Sequence, residues 1–570
     1  MDTGNKPLIA VLILLLLLGL LLSGCRLLTP FSMGGQEVNE DDLNDRIQPY
    51  PGNDASVYPE PVEESTADEY AYGAVDSEEG NQPPAAAPMV EPAIGMEQDK
   101  QGPTWYEVEP PVDPIEVPRD MFFEDYGVNP FIDADEDNES TFAADVDTGA
   151  YTLARSYINQ GMLPPEDAVR VEEFINFFPQ GYAMPSEREV FDIQIDGGPT
   201  PFTETDSYHV IRVGIQGYDV SERERKDAAL TFVIDVSGSM GNDNRLRIVQ
   251  DSLELLVDQL SPADTVGIVA YTDTAWVVLE HTSARNKDLI VEAIYSLYPM
   301  ASTNAEAGLI LGYRQASRAY IPGGINRVVL CSDGVANVGA TGPDSIWESI
   351  QDYASEGITL TSVGVGMGNY NDVLMEQLAD QGNGFYAYVD TMEEANRLFA
   401  HDLTSTLQVI GFDAKIQVVF NPDVVSRYRL VGFENRAIAD EDFRDNTVDA
   451  AEIGAGHAVT ALYEVKLFNG ARGEIATVQM RWQDPDSYRI EEISETFDTR
   501  DLASSFRRTS PYFQLDVLVA EFGEILRDSR WADGSDLWDV LEYAEDIADR
   551  IERAEVYEFI ELLERATRLQ

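Results

Sequence analysis

The chain has 570 residues and carries 103 acidic against 38 basic side chains, which gives it a formal net charge of −65. This charge argues against nucleic acid as a partner, because phosphate binding depends on clusters of lysine and arginine. The length exceeds what one hydrophobic core usually organises, so we expect several domains. The two cysteines, Cys25 and Cys331, are too few for a disulfide framework, and Cys331 in the apolar run RVVLC is expected to be a small core residue.

The N-terminus has the pattern of an export signal. Lys6 precedes the apolar run LIAVLILLLLLGLLL and SGC follows it, so residues 1–25 are predicted to be a signal peptide. The motif LLSGC resembles the lipobox of bacterial lipoproteins. That resemblance implies a lipidated Cys25 and a chain anchored to the cell membrane on its extracytoplasmic face. A retained membrane helix is the alternative; the run of about 15 apolar residues is short of the roughly 20 that span a bilayer.

Residues 26–120 differ sharply in composition from the rest of the chain. They are rich in Pro, Glu, Asp, Gln, Ala and Gly, and they carry 22 acidic and 4 basic side chains, a net charge of −18. The apolar periodicity of a helix or a strand is missing from this span. We therefore predict a disordered, self-repelling linker that holds the folded part of the protein away from the membrane.

Residues 121–227 are predicted to form an N-terminal flanking domain of helices followed by strands. One helix is expected to begin near Asp147 or Thr148, and a second to begin after Leu163-Pro-Pro. The segments EVFDIQIDG and YHVIRVGIQG then alternate apolar and polar residues, as half-buried strands do.

An acidic stretch in this region, FIDADEDNES at 131–140, resembles the start of a calcium-binding EF-hand loop. Asn138 stands where that loop requires glycine, and Ala144 stands where it requires glutamate. A solvated acidic loop is the favoured interpretation, and a structural calcium site is the alternative.

Residues 228–406 alternate strands and helices. ALTFVI, RVVLCSDG and ITLTSVGVG read as continuous apolar strands, and amphipathic helices such as RLRIVQDSLELLVDQL lie between them. VGIVAYTD and AWVVLEHT look like two strands joined by a tight turn. Unbroken apolar strands that alternate with helices indicate a doubly wound, mostly parallel α/β sheet of Rossmann-like type, covered on both faces.

The C-terminal part is predicted to be β-rich over 407–500 and helical over 501–570. FDAKIQVVF, HAVTALYEVKLF and EIATVQMRWQD alternate as antiparallel strands do, and Ser535 is a good N-cap for the second of three amphipathic helices. Because β segments occur on both sides of the α/β unit, our hypothesis is a single β-sandwich into which the α/β domain is inserted. The predicted fold class is thus multidomain, α/β plus β, with C-terminal helices.

Oxygen-bearing side chains cluster at predicted strand ends. Asp235, Ser237 and Ser239 occupy alternate positions directly after ALTFVI, and Asp333 ends RVVLCSDG. A third loop holds Ser302, Thr303 and Asn304. Ligands of open α/β sheets bind beyond the carboxyl ends of the strands, so the three loops can meet at one edge. Hard oxygen ligands without His or Cys suit Mg²⁺, with Mn²⁺ or Ca²⁺ as alternatives.

The sequence DVSGS at 235–239, together with Thr303 in ASTNAEAGL and Asp333 in LCSDG, resembles the metal-ion-dependent adhesion site of von Willebrand factor type A domains. The resemblance implies that Ser237, Ser239 and Thr303 are inner ligands and that Asp235 and Asp333 support them directly or through water. It also implies that an acidic residue of a protein partner completes the coordination shell. Residues 121–570 further resemble bacterial lipoproteins with a central domain of this type and family-specific flanking domains.

A serine hydrolase and a structural scaffold are the alternatives to metal-mediated ligand binding. A serine hydrolase is disfavoured because Ser239 lacks the G-x-S-x-G elbow and because no motif of a catalytic base surrounds the four histidines, which are His209, His281, His401 and His457. We therefore expect a protein that is not an enzyme. The prediction is a membrane-anchored, extracytoplasmic protein that binds protein ligands through a divalent metal ion. A metal-stabilised scaffold in an assembly of the cell envelope is the alternative.

Overall fold

The computed structural model describes residues 123–144, 147–186, 188–203, 207–221, 223–300, 302–334, 343–354, 356–366, 371–402 and 407–570. The predicted signal peptide with Cys25 and the predicted linker at 26–120 lie outside these residues. Among the helices that are described, none is both long and apolar enough to cross a membrane.

The region before the α/β domain contains four strands and two helices in its described part. They are β1 (Ile132–Asp133), β2 (Glu139–Ala143), α1 (Gly149–Asn159), α2 (Val171–Phe177), β3 (Phe191–Gly198) and β4 (Tyr208–Gly217). The second helix was expected directly after Pro165, but only a single 3-10 turn forms there and Arg170 is still extended. The delay brings the Arg170 side chain into the core, where it forms ion pairs with Glu173 and Asp372.

The acidic stretch at 131–140 forms a turn between β1 and β2. The amides of Glu136 and Asp137 donate to the carbonyl of Asp133, at 3.0 and 3.1 Å, and the Glu139 amide donates to the Asp137 side chain at 3.2 Å. The Asp133 carbonyl and the Asp137 carboxylate thus accept hydrogen bonds from the backbone of the turn itself. Within the described residues, no three His, Cys, Asp or Glu side chains are grouped to hold a metal ion.

The α/β domain contains a six-stranded sheet with helices on both faces. Its elements are β5 (Ala228–Asp235), α3 (Arg245–Gln259), β6 (Thr265–Tyr271), β7 (Ala275–Ser283), α4 (Lys287–Tyr295), α5 (Ala305–Arg318), β8 (Ile325–Ser332), α6 (Pro343–Ala354), β9 (Thr359–Val365), α7 (Asp372–Gln381), β10 (Tyr386–Val389) and α8 (Met392–Asn396). The strand order is β10-β9-β8-β5-β6-β7, and all neighbours are parallel except β6 and β7.

Strand β5 lies at the centre of this sheet and is buried along its whole length. Phe232 and Ile234 pack into the layer that contains α3, whereas Val233 packs into the opposite layer with α5. Helix α1 from the N-terminal region adds Leu153 to this second layer. The expected doubly wound, mostly parallel sheet is therefore present, and an apolar strand without alternation is what its two buried faces require.

Strands from before and after the α/β domain form two facing sheets. The C-terminal strands are β11 (Val409–Phe420), β12 (Val425–Val431), β13 (Ala437–Ile438), β14 (Ala451–Gly454), β15 (Ala458–Leu467), β16 (Glu474–Gln483) and β17 (Ile490–Asp498). One sheet has the order β1-β12-β15-β4-β3, and the other has β13-β2-β11-β16-β17 with β14 beside β11. The long antiparallel pairing of β4 with β15 confirms that the two groups of strands share one sheet, and both sheets contribute to one core.

Three C-terminal helices pack with α1 and α2 in a separate hydrophobic core. They are α9 (Pro511–Leu526), α10 (Leu537–Ile551) and α11 (Ala554–Ala566). Asp536, and not Ser535, is the N-cap of α10, because the Asp536 carboxylate accepts a hydrogen bond from the Trp538 amide at 2.9 Å.

Candidate metal site

The candidate site begins where β5 and β8 end side by side. Asp235 is the last residue of β5, Ser332 is the last residue of β8, and Asp333 follows it. Because β5 pairs in parallel with β8, the two aspartates emerge at the same edge of the sheet. Both are fully buried, and the Ser332 hydroxyl donates to Asp235 Oδ2 at 2.9 Å.

The loop after β5 turns both serines toward each other. The Ser237 amide donates to Asp235 Oδ1 at 2.8 Å, which fixes the start of the loop. The hydroxyl oxygens of Ser237 and Ser239 then lie 3.0 Å apart. Ser237 is 1% exposed whereas Ser239 is partly exposed, so the pair leads from the buried acids to the surface.

Backbone hydrogen bonds hold the third loop against the loop after β5 and against the end of β6. The Met300 amide donates to the Val236 carbonyl at 2.6 Å, and the Asn304 amide donates to the Thr272 carbonyl at 2.6 Å. Thr303, which is 2% exposed, lies between these two anchors. Its neighbours from the predicted loop have other places: Ser302 is exposed, and Asn304 caps α5 by accepting from the Ala307 amide at 3.1 Å.

The donor set fits a divalent cation. Two ligand oxygens at right angles, each about 2.1 Å from Mg²⁺, are about 3 Å apart, which is the separation of the two serine hydroxyls. Burial, and after it the negative charge of Asp333, raises the pKa of Asp235 to about 7. A cation between the two acids would remove much of this penalty. The polar side chains of these loops offer hydroxyl oxygens from Ser237 and Ser239 beside the two carboxylates.

Arg245 belongs to this site, although its sequence pattern does not predict it. Arg245 is the first residue of α3, is 4% exposed, and places Nη1 2.9 Å from Asp333 Oδ2. The local pattern indicates only an amphipathic helix. The sequence did contain a signal, which is the arginine at the start of the predicted helix. A cation there opposes the helix dipole, so a stabilising contact elsewhere in the fold is expected.

The histidine chemistry of a serine hydrolase is not found at these serines. In the described part of the chain, neither Ser237 nor Ser239 is hydrogen-bonded to a histidine. His281 is instead held by the hydroxyls of Thr231 and Thr265, at 2.9 and 3.1 Å.

Comparison with known proteins agrees with the fold of the α/β domain and of the C-terminal region. Residues 229–401 match the family model of the von Willebrand factor type A domain, residues 118–210 match a von Willebrand factor model, and residues 405–472 and 468–569 match the C-terminal model of the uncharacterized protein YfbK. The uncharacterized protein YfbK of Escherichia coli K12 is 34% identical over 479 residues, which cover 79% of this chain and 82% of that protein. The chain belongs to the YfbK family. Its α/β domain is a von Willebrand factor type A domain.

More distant relatives match smaller parts of this YfbK-family chain. The uncharacterized protein sll0103 of Synechocystis is 24% identical over 52% of this chain and 70% of its own length. Human inter-alpha-trypsin inhibitor heavy chain H3 is 26% identical over 191 residues, only 20% of that protein. Among solved structures, a von Willebrand factor type A protein from Catenulispora acidiphila covers 68% of this chain and 91% of its own at 16% identity and a TM-score of 0.40.

Type A domains often carry a metal-ion-dependent adhesion site and generally serve in adhesion or interaction. Proximal thread matrix protein 1 from the mussel byssus, described with a zinc-occupied site of this kind, is 22% identical over 34% of this chain and 49% of its own, with a TM-score of 0.28.

Proposed function

We propose that this protein captures protein ligands through a divalent metal ion held by Asp235, Ser237, Ser239, Thr303 and Asp333. The observation that carries the proposal is the 3.0 Å approach of the Ser237 and Ser239 hydroxyls in the loop after β5, at the edge of the sheet where Asp235 and Asp333 are buried. Ser237, Ser239 and Thr303 are proposed as inner ligands, with the aspartates in support.

The chemistry of the donors explains why a partner would bind there. Hydroxyls are neutral and weak ligands, so an ion held mainly by them stays electrophilic and keeps a replaceable water. The partly exposed Ser239 and the exposed Gly238 and Ser302 leave this side of the site open to another molecule. A carboxylate of a partner protein can take the water's place. We propose Mg²⁺ as the ion, with Mn²⁺ or Ca²⁺ as alternatives.

The N-terminal sequence supports a proposal for the location of the protein in the cell. We propose that Cys25 is lipidated, so that the protein is anchored to the cell membrane on the extracytoplasmic side, and that residues 26–120 give the folded part reach. The pattern LLSGC and the net charge of −18 on residues 26–120 support this proposal.

A structural role for the ion is the second candidate. The site joins the loops after β5 and β8 to the loop before α5, and the 2.6 Å bond from Met300 to Val236 already links two of them. An ion at this place would stabilise the domain without any partner, as a scaffold in an envelope assembly requires.

One experiment separates the two functions. The full chain is immobilised, exposed to envelope extract in Mg²⁺, and washed with EDTA. If the protein captures ligands, partner proteins should elute with EDTA. The Asp235→Ala and Thr303→Ala variants should fail to retain these partners, whereas the variant Thr274→Ala, at an exposed position, should retain them. A scaffold predicts that EDTA lowers the unfolding temperature and releases nothing. Unchanged capture by both site variants would overturn the metal-mediated mechanism.

A further inference from the structure

Arg245 introduces a positive charge into a site whose other charged groups are acids. Its Nη1 lies 2.9 Å from Asp333 Oδ2, and the two side chains are 5% and 0% exposed. Its Nη2 lies 3.8 Å from Asp243, an exposed acid at the surface of the same loop. The guanidinium therefore bridges from the surface loop to the buried aspartate.

The fold makes room for this arginine. Gly366 follows β9 with a φ of +83°, and a Cβ atom added there would lie 2.2 Å from Arg245 Nε and 2.4 Å from its Cδ. The arginine also occupies the first position of α3, where a cation opposes the helix dipole. Gly366 thus accommodates a residue that local helix stability does not favour.

The charge count shows what Arg245 does to a bound ion. Asp235 and Asp333 would together neutralise a divalent cation, and Arg245 adds one positive charge to the buried part of the site. Asp243, the other acid near Arg245, is 79% exposed and therefore offsets this charge only weakly through water. A positive site binds a cation less tightly but attracts an anionic ligand more strongly. The hydrogen bond to Asp333 Oδ2 also restricts how that carboxylate can turn toward the ion.

We propose that Arg245 is a positioning residue that weakens metal binding at this site and strengthens the capture of a carboxylate. The inference rests on the proposed function, because it concerns the ligand that completes the same coordination shell. It assigns the preference for an anionic carboxylate, over a neutral amide or water, to a residue outside the set of metal ligands.

The test compares Arg245→Gln and Arg245→Lys with a matched control in the full chain. Arg247→Gln is the control, because Arg247 lies on the same helix but is 61% exposed and pairs with Asp251 at the surface. Mn²⁺ serves as the probe, and its affinity is measured from the free-ion signal in electron paramagnetic resonance. Acetate serves as the carboxylate, and its displacement of Mn²⁺-bound water is followed by water-proton relaxation.

The two readouts should move in opposite directions in Arg245→Gln. We expect Mn²⁺ to bind about tenfold more tightly and acetate to bind the loaded protein about tenfold more weakly, because one positive charge is lost. Arg245→Lys, which keeps the charge, should restore both values to within about threefold of the wild type, and Arg247→Gln should leave both unchanged. A purely structural role of Arg245 would instead weaken Mn²⁺ binding in both Arg245 variants.

Mn²⁺ affinity that is unchanged or reduced in folded Arg245→Gln would overturn the inference. If the Gln variant does not fold, a folded Arg245→Lys protein that has lost its acetate affinity would overturn it as well. Failure of the proposed function looks different: wild-type protein would then bind Mn²⁺, but acetate would not displace its water.

Discussion

Arg155 in α1 donates from Nε and Nη2 to the two carboxylate oxygens of Asp390, at 2.8 and 2.6 Å, with both side chains buried. Asp390 directly follows β10, the last strand of the type A domain. The same arginine reaches Glu394 at 3.0 Å and Glu558 of α11 at 3.1 Å. One side chain thus joins the N-terminal region, the inserted domain and the C-terminal helices, which explains how an inserted domain is fixed to its frame.

Replacing this arginine should strongly destabilise the protein. Arg155→Met leaves Asp390 buried without its counter-charge, whereas Glu394 keeps its pair with Arg397. We expect the free energy of unfolding to fall by about 3–5 kcal/mol. Arg247→Met, which breaks an exposed pair within one helix, should leave it nearly unchanged. Urea unfolding followed by circular dichroism measures both. A loss in Arg155→Met no larger than in the control would show that the junction is held by other contacts.

The partly buried Glu521 of α9 should make stability depend on pH. Burial, with added repulsion from Glu464 and Glu524, raises the pKa of Glu521 to about 8 although the Ser535 hydroxyl opposes the rise. The folded state therefore binds this proton more tightly than the unfolded state does. The stability contributed by the protonated carboxyl is complete below the unfolded pKa and is lost as the pH rises toward 8.

Glu521→Gln should remove this dependence. We expect the variant to exceed the wild type in free energy of unfolding by about 1–3 kcal/mol at pH 8.5 and to match it near pH 4. Thermal unfolding across this pH range, with Glu545→Gln on the exposed side of α10 as the control, measures the difference. A variant that is less stable than the wild type at pH 8.5 would mean that the carboxylate is the favoured form in the folded protein.

The elements that define the site could be predicted because their signals are local. Strand β5 reads as an apolar run, and alternation places Asp235, Ser237 and Ser239 on one side of the chain beyond it. The place of Asp333 follows from the rule that ligands gather at the carboxyl ends of strands. Thr303 was distinguished from its neighbours Ser302 and Asn304 only by the resemblance to type A domains. Cys331 lies buried in β8, as its apolar surroundings predict.

The pairs that hold the molecule together could not be predicted in this way. Arg155 and Asp390 are 235 residues apart, and the local sequence around either residue does not predict the other as its partner. Strand β17 was missed because its residues are mostly exposed, so it lacks the alternation that marks a half-buried strand. Arg245 was missed because its role depends on Gly366 and Asp333, which only the folded sheet brings near it.

Close packing of α5 on the sheet should matter for the metal. A Cβ atom added at Gly312 would lie 2.3 Å from Val233 Cγ2 of β5, and one at Gly308 would lie 2.6 Å from Tyr271 Cδ1. Gly312→Ala improves helix propensity by about 1 kcal/mol. We nevertheless expect a net loss of about 1–3 kcal/mol, because α5 must move away from a fully buried strand.

The displacement should also weaken Mg²⁺ binding, since Thr303 immediately precedes α5. Thermal unfolding and Mg²⁺ titration calorimetry on Gly312→Ala measure the two effects. Arg314→Ala, on the exposed side of the same helix, is the control and should change neither. A stabilised Gly312→Ala protein would show that α5 tolerates the added methyl group without moving.

The Thr303 hydroxyl should be required for stabilisation by the ion. In the wild type, Mg²⁺ at about 100 times its dissociation constant should raise the free energy of unfolding by about 2.7 kcal/mol. Thr303→Val keeps the shape of this buried side chain but removes the oxygen, and a tenfold loss of affinity would reduce the gain by about 1.3 kcal/mol. Thermal unfolding with Mg²⁺ or EDTA measures this gain, and Thr274→Ala in the exposed β6–β7 turn should keep the full value. Equal gains in Thr303→Val and the wild type would remove Thr303 from the inner ligands. The ion would then depend on the loops of Ser237 and Asp333 alone.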